Sequence, residues 1–473
     1  MRQTRSTAAL LAVSIALTTR ILPGQSLEVD RRMGAEAAAD VIRIQGLYEK
    51  PDLQKFLEKM GARLVDGLGP QPFTYRFAIT DEIEPNAFAL PGGYVFATRG
   101  IFAVADSEAE LAGVLAHEII HSDRRHSVKA AKHSILPSIL AIPGGLAGIF
   151  SEEAGKVLTA PSSLAIAHYS RQNESEADKL GVKLAASAGY DPLALIQCLH
   201  RLSKVVSLMS DEKEKRSYFD DHPATAERDA AIRKTAATIE RAQIPPILAG
   251  REAYLRLLDG LVVGENPEQG IFEKNVFVHP DLNFRMDLPE GWETFNTAAA
   301  FGALAVKGKG QLVIGLAEGT NDPAEAAART LLRIDEQKHK RPVEAGRVEV
   351  NGNPGFLAVY GEKETSLHLL WVFMGGKMFR ITGASDPQSK GALRQSALSL
   401  RQLNPEQRAK VRVLRLRLEI AREGESLEQF SRRTGSDFKP EMLAVLNNLD
   451  SKPLAQGQLL KIARREPYTP EER

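Results

Sequence analysis

Only one cysteine, Cys198, stands among 473 residues. A disulfide framework is therefore excluded, and a cysteine-held metal is not indicated. Cys198 itself reads as a small buried hydrophobe. Charge of one sign is lacking as well. Sixty-one Lys and Arg face sixty Asp and Glu, a formal net charge of +1. Neither a nucleic-acid binder nor a protein drawn to membranes by its charge is indicated. Long apolar runs are also missing. Ala8 to Leu17 is too short to span a bilayer comfortably, and Ile135 to Phe150 is broken by Pro137, Pro143, Gly144, Gly145 and Gly148. The latter segment reads as a lid over a cleft, as ordinary packing, or as a surface-binding element.

What is present is ordinary for a globular chain, with 43% hydrophobic and 26% charged residues. The length suggests about three domains. Residues 1–26 read as a signal peptide, because Arg2 and Arg5 precede the short apolar stretch. That predicts export to the periplasm, or an uncleaved N-terminal membrane anchor as the lesser alternative.

The stretch Ala116-His117-Glu118-Ile119-Ile120-His121 organises the rest. Residues four apart share one face of a helix, so His117 and His121 can offer two imidazoles to one ion. Glu118 sits beside the first of them, placed to take a proton from a water at the metal. Ser107-Glu108-Ala109-Glu110 fits a capping box at the start of this helix. Leu111, Val114, Leu115 and Ile119 supply its apolar positions. Upstream, 29–63 reads as helical, and Phe73 to Ile79, Asn86 to Leu90 and Tyr94 to Thr98 read as strands. A strand just before the metal helix can flank the cleft and pair with an extended peptide through its backbone. Asn86, Ala87 and Phe88 are therefore candidate substrate-binding positions, although their side chains also suit a sheet core.

Downstream, Tyr169 to Asp178 opens another helix. Glu174 and Asp178 share a face, whereas Glu176 points about 200° away from Glu174. Glu174 is thus the better third metal ligand. Asp178 is the better acceptor for a ring N–H of a ligating histidine, and Glu176 is expected to face solvent. His222, extended before Pro223, and Arg228 can both reach a cleft. Two His and one Glu favour zinc, one per chain.

These pieces together resemble the zinc metallopeptidase family that includes the CAAX prenyl endopeptidases, the HtpX proteases and periplasmic BepA-like proteases. The matching residues are Asn86-Ala87-Phe88 with Pro91-Gly92-Gly93, then His117 to His121. Tyr169-Ser170-Arg171 with Glu174, Ala177 and Asp178 follow, then Gly189-Tyr190-Asp191-Pro192 and His222-Pro223 with Arg228. The resemblance implies that His117, His121 and Glu174 bind zinc and that Glu118 is the general base. It makes His222 similar to a histidine that either acts on the reaction intermediate or caps the metal in a latent state. Arg228 and Asp178 look like supporting residues.

Residues 275–403 read as a separate α/β domain, with strands at 284–288, 310–316, 355–360, 367–373 and 377–382 and helices at 324–336 and 389–400. No cluster of ligands or nucleophiles marks it. Gly424-Glu425-Ser426-Leu427, Phe430, Asn447, Leu454 and Gly457 to Ile462 resemble a LysM module over 412–465. That resemblance implies a βααβ fold and peptidoglycan as a partner, beside a purely structural role. Residues 466–473 read as a disordered tail.

The expected fold class is α+β. A mainly helical zincin-type peptidase domain with a small β-sheet (27–262) precedes the α/β domain and the LysM-like module. The expected function is a zinc metalloendopeptidase of the cell envelope. Its substrates would be polypeptides, including misassembled envelope proteins, with the outer-membrane assembly machinery as a possible partner and no nucleic acid. The alternative is an envelope chaperone or scaffold with a latent zinc site.

Overall fold

The computed structural model describes residues 23–127, 169–209, 218, 222, 226–306, 310–317, 319–361, 365–449 and 453–470. Most of the expected signal peptide and the expected lid at 135–150 lie outside these residues.

Two helices lead in, α1 (Pro23–Gln45) and α2 (Pro51–Asp66). The helix expected over 29–63 is broken at Gly46, whose φ of 73° suits glycine. The break frees Tyr48 to donate its backbone N–H to Ile79. Three strands follow, β1 (Arg76–Thr80), β2 (Ala87–Leu90) and β3 (Tyr94–Thr98), in the order β1-β3-β2. The short helix α3 (Arg99–Val104) leads to α4 (Glu108–Asp123), which carries His117 and His121.

Ser107 caps α4 by accepting from the Glu110 N–H at 3.3 Å. The expected return bond differs. Glu110 accepts from the Asp106 N–H and pairs with Arg201, because a buried carboxylate is better satisfied by a guanidinium. All residues of α4 from Glu110 to Ser122 are buried, as expected of a helix surrounded by others. Its neighbours are α5 (Arg171–Ser187), α6 (Ala194–Met209) and β2. The α4–α5 crossing depends on Gly181, where an added Cβ would lie 3.0 Å from the backbone nitrogen of His117. Gly181 shares a helix face with Glu174 and Asp178. The close approach therefore brings both carboxylates to the histidines. Helices α7 (Ala226–Ala236) and α8 (Arg251–Leu258) complete this part.

The second part is built on a seven-stranded sheet of β7 (Trp292–Asn296), β8 (Phe301–Ala305), β9 (Gln311–Ala317), β10 (Glu344–Val350), β11 (Asn353–Gly361), β12 (Ser366–Met374) and β13 (Lys377–Ser385). Their order is β10-β11-β12-β13-β9-β8-β7, and every pair is antiparallel. This corrects the α/β expectation. Two-residue links such as Asn351-Gly352 and Gly375-Gly376 permit only hairpins. Both faces are covered. Leu357, Leu370 and Val372 pack with a four-stranded sheet of β4 (Ile271–Glu273), β5 (Val276–His279), β6 (Phe284–Asp287) and β14 (Arg401–Gln402), which contains Phe277 and Phe284, while Ala358, Leu369 and Trp371 pack beneath helix α9 (Pro323–Lys338). Strands such as β12 therefore read as apolar runs.

The last unit runs β15 (Arg412–Ile420), two short helices (Leu427–Thr434 and Pro440–Leu446) and β16 (Leu459–Pro467), with β15 and β16 antiparallel. It is stitched to the first part. Gly260 and Val263 donate to Leu416 and Leu414, and Leu416 donates back to Leu261. Fully buried Lys461 reaches the carbonyls of Ala103 and Ala105, each at 3.1 Å, and lies 3.4 Å from Asp106. Over the described residues 466–470 the expected disordered tail is corrected as well. Glu466 pairs with Arg417, and buried Tyr468 donates to Asp281. No helix among the described residues is long and apolar enough to cross a membrane.

Candidate metal centre

Helices α4 and α5 supply most of the site. Side chains of His117 and His121 project from one face of α4, one turn apart, and their Nε2 atoms are 3.0 Å apart. Ser170 caps α5 by accepting from the Asn173 N–H, so Glu174 lies in the first turn. Its Oε1 is 3.3 Å from His121 Nε2, and its Oε2 is 3.6 Å from His117 Nε2. His222 Nδ1 closes the group, 3.3 Å from His117 Nε2 and 3.1 Å from Glu174 Oε1. All four residues are buried.

These separations bear on whether the residues fit a metal. An ion held at about 2.0–2.1 Å by four tetrahedral ligands has ligand–ligand edges of about 3.3 Å. The measured edges scatter around that length. Four buried acceptor-rich groups facing one another are costly unless a cation or shared protons satisfy them. The donor set therefore fits a small divalent ion.

Glu118 is completely buried beside His117, and its Oε1 lies 3.5 Å from His222 Nε2. Asp178 Oδ1 is 3.0 Å from His117 Nδ1, the ring nitrogen turned away from the cluster. Arg228 clamps Asp178 with Nε and Nη2, each at 2.8 Å. Its Nη1 donates to the His222 carbonyl at 3.1 Å and lies 3.2 Å from Glu174 Oε2. One guanidinium thus ties together α5, α7 and the segment that holds His222.

Burial alone would raise both acidic groups, but their partners prevail. Contacts with His121 and His222 hold the Glu174 carboxyl well below its ordinary range. His117 and Arg228 likewise lower the Asp178 carboxyl against the effect of burial. Burial pushes the His121 imidazole well below its ordinary value, with only partial opposition from Glu174. His121 is therefore held neutral, the form that ligates metals.

The fold brings His117, His121, Glu174, His222, Glu118, Asp178 and Arg228 together. Asn86 donates its backbone N–H to Thr98 Oγ1 at 2.9 Å, and Ala87 packs in the hydrophobic core. Phe88 is buried and stacks on Phe96 with centroids 5.3 Å apart, a packing role. Strand β2 nevertheless lies against α4, where Ser122 Oγ donates to the Leu90 carbonyl at 3.3 Å.

Three contributors are given no role by the sequence reading. Tyr218 stacks on His222 at 4.5 Å, Tyr169 lies over His121 at 3.9 Å, and His126 touches His121. Tyr169 stood in the motif but carried no role. Nothing in local spacing singles out Tyr218 or His126. Glu176, expected to face solvent, is only half-exposed, with its carboxylate 3.4 Å from His126 and 3.7 Å from Arg124.

Comparison with known proteins agrees with this geometry. Residues 49–236 match Peptidase family M48. The chain is 32% identical over 164 residues to the beta-barrel assembly-enhancing protease of Escherichia coli, covering 33% of this chain and 34% of that one. It is 27% identical to the Yersinia pestis protein of the same name, over 46% of this chain and 53% of that one. It is also 27% identical to the mitochondrial metalloendopeptidase OMA1 of Schizosaccharomyces pombe, over 46% and 64% respectively. The matched segments thus span a third to under two thirds of these relatives.

Proposed function

We infer that this chain, which carries a peptidase family M48 domain over residues 49–236, is a zinc-dependent endopeptidase. The observation that carries the reading is the set of four buried ligand atoms from His117, His121, Glu174 and His222, spaced like the edges of a zinc tetrahedron. His117, His121 and Glu174 would hold the ion. Bound zinc supplies Lewis acidity, which lowers the pKa of a water towards neutrality and stabilises negative charge on a peptide carbonyl.

The remaining chemistry belongs to the chain. Glu118 takes the proton of the attacking water and returns it to the leaving amine. Asp178, 3.0 Å from His117 Nδ1, is placed to take its N–H and so keep Nε2 available as a ligand. Arg228 holds Asp178 ionised and oriented.

His222 gives the site two states. In the conformation described its Nδ1 lies among the other three ligand atoms and would serve as a fourth ligand, and a closed four-ligand set is the arrangement of structural rather than catalytic zinc. This supports a latent state. When His222 withdraws, its ring remains a candidate donor to the developing oxyanion. Substrate would bind as an extended strand on β2. Pairing with β3 leaves the backbone groups of Ala87 and Ala89 directed to the other side. All four residues of β2 are buried, so this edge is closed as well.

The relatives named for enhancing β-barrel assembly, together with the basic and apolar N-terminal segment, support a periplasmic enzyme acting on envelope proteins, misassembled ones included. Outer-membrane assembly machinery and peptidoglycan are its proposed partners, the latter through residues 412–465. Pulldown on purified peptidoglycan tests that contact. For the activity, Glu118→Gln is expected to keep zinc and lose casein cleavage. Cleavage by the zinc-loaded variant at the wild-type rate would overturn the reading.

A further inference from the structure

Beyond α4 the chain doubles back at once. Arg124 is still right-handed, but Arg125 has a φ of 56°, a conformation uncommon for any residue but glycine. Asp30 of α1, itself fully buried, holds Arg125 there. Its carboxylate accepts from Nε at 2.5 Å and from Nη2 at 2.8 Å. The reversal delivers His126, completely buried, against the back of His121. The two rings are nearly perpendicular, with centroids 4.9 Å apart, and their Nδ1 atoms are 3.1 Å apart. On its far side, His126 Nε2 lies 3.4 Å from Glu176 Oε2.

The protons on these rings are constrained. His121 turns Nε2 towards His117 and Glu174. As a neutral ligand through Nε2, it must carry its hydrogen on Nδ1. That hydrogen points at His126 Nδ1, which must then be the acceptor. His126 accordingly carries its own hydrogen on Nε2, facing the Glu176 carboxylate. We propose that His126 is a positioning residue for His121, accepting its Nδ1–H and fixing its tautomer and ring angle, with Glu176 holding His126 in the matching tautomer. The proposal rests on the metallopeptidase reading and extends it. The two histidine ligands are supported differently: His117 by a carboxylate clamped by arginine, His121 by a neutral imidazole backed by a half-exposed carboxylate. Asp30 and Arg125 set the backbone turn that makes the second support possible.

The test is zinc affinity of the full chain, measured by competition with a chromogenic chelator, for wild type, His126→Leu, His126→Asn, His126→Gln and Glu176→Gln. Asparagine can place an acceptor oxygen near the position of Nδ1, whereas glutamine places its amide near Nε2. His126→Leu is expected to weaken zinc binding about ten- to a hundredfold. His126→Asn should recover most of that loss, and His126→Gln should not. Glu176→Gln alters a side chain that is 42% exposed, so the fold is preserved, and it should weaken binding by less than His126→Leu. Unchanged affinity in His126→Leu would overturn the proposal. Equal weakening in the Leu and Asn variants would overturn it too, reducing His126 to packing. Unchanged affinity in Glu176→Gln would remove Glu176 from it. A wild-type chain that takes up no zinc would instead overturn the metallopeptidase reading.

Discussion

Arg228 offers the sharpest energetic test, because one guanidinium serves three partners. Replacing it with methionine keeps the apolar stem and removes both bonds to Asp178, the bond to the His222 carbonyl and the contact with Glu174. Asp178 is 2% exposed. Among the described residues it would keep only His117 as a polar partner, and breaking a buried pair from one side costs about 3–5 kcal/mol. The metal-free chain should lose that much stability. Zinc affinity should fall about ten- to a hundredfold, since His117 loses a fixed acceptor. Arg228→Lys should recover part of the stability, because a single ammonium cannot bond both carboxylate oxygens in the fork geometry. The assay needs care over its probe. Both tryptophans, Trp292 and Trp371, lie in the antiparallel sheet of the second part, so their fluorescence does not report on the metal helices. Urea unfolding followed by far-UV circular dichroism, together with chelator competition, reads the relevant elements. A loss below about 1 kcal/mol with unchanged zinc affinity would refute the claim that this guanidinium holds the site together.

Removing the cap by His222→Ala should raise casein cleavage. If the closed state is favoured by about 1.4–2.8 kcal/mol, the rise is about ten- to a hundredfold, and a fall would make His222 a participant in the reaction instead. Deleting residues 405–473 should cost the peptidase part its fold, because β15 and Lys461 bond directly to its backbone. A soluble, helical product that still cleaves casein would contradict this. Burial pushes the Lys461 ammonium down to about 8 from an ordinary 10.5. Between those values the unfolded chain holds the extra proton, so stability rises with pH there, by about 3 kcal/mol in total. Lys461→Met should lack this alkaline rise in urea titrations, and an identical rise in both proteins would refute the assignment.

What could be read in the sequence follows helical geometry. Spacing of four grouped His117 with His121 and Glu174 with Asp178, and the 200° rotation separated Glu176 from them. Those are properties of single helices, so local sequence carries them. His126 was not legible because it acts after α4 has ended, through a left-handed turn at Arg125 enforced by Asp30 some 95 residues earlier. The antiparallel sheet is not legible because two-sided burial erases alternation in β12, while edge strand β10 exposes four of its seven residues, three of them charged. Tyr468 read as tail because its partners, Asp281 and Val411, are distant in sequence. The partner of Glu110 was missed for the same reason, since Arg201 lies 91 residues away.

The most direct measurement is zinc content and casein cleavage side by side, on wild type and Glu118→Gln. The account predicts about one zinc per chain in both proteins, and cleavage only in forms that retain Glu118. A wild-type chain without zinc, or a zinc-loaded Glu118→Gln that cleaves as well as wild type, would contradict it.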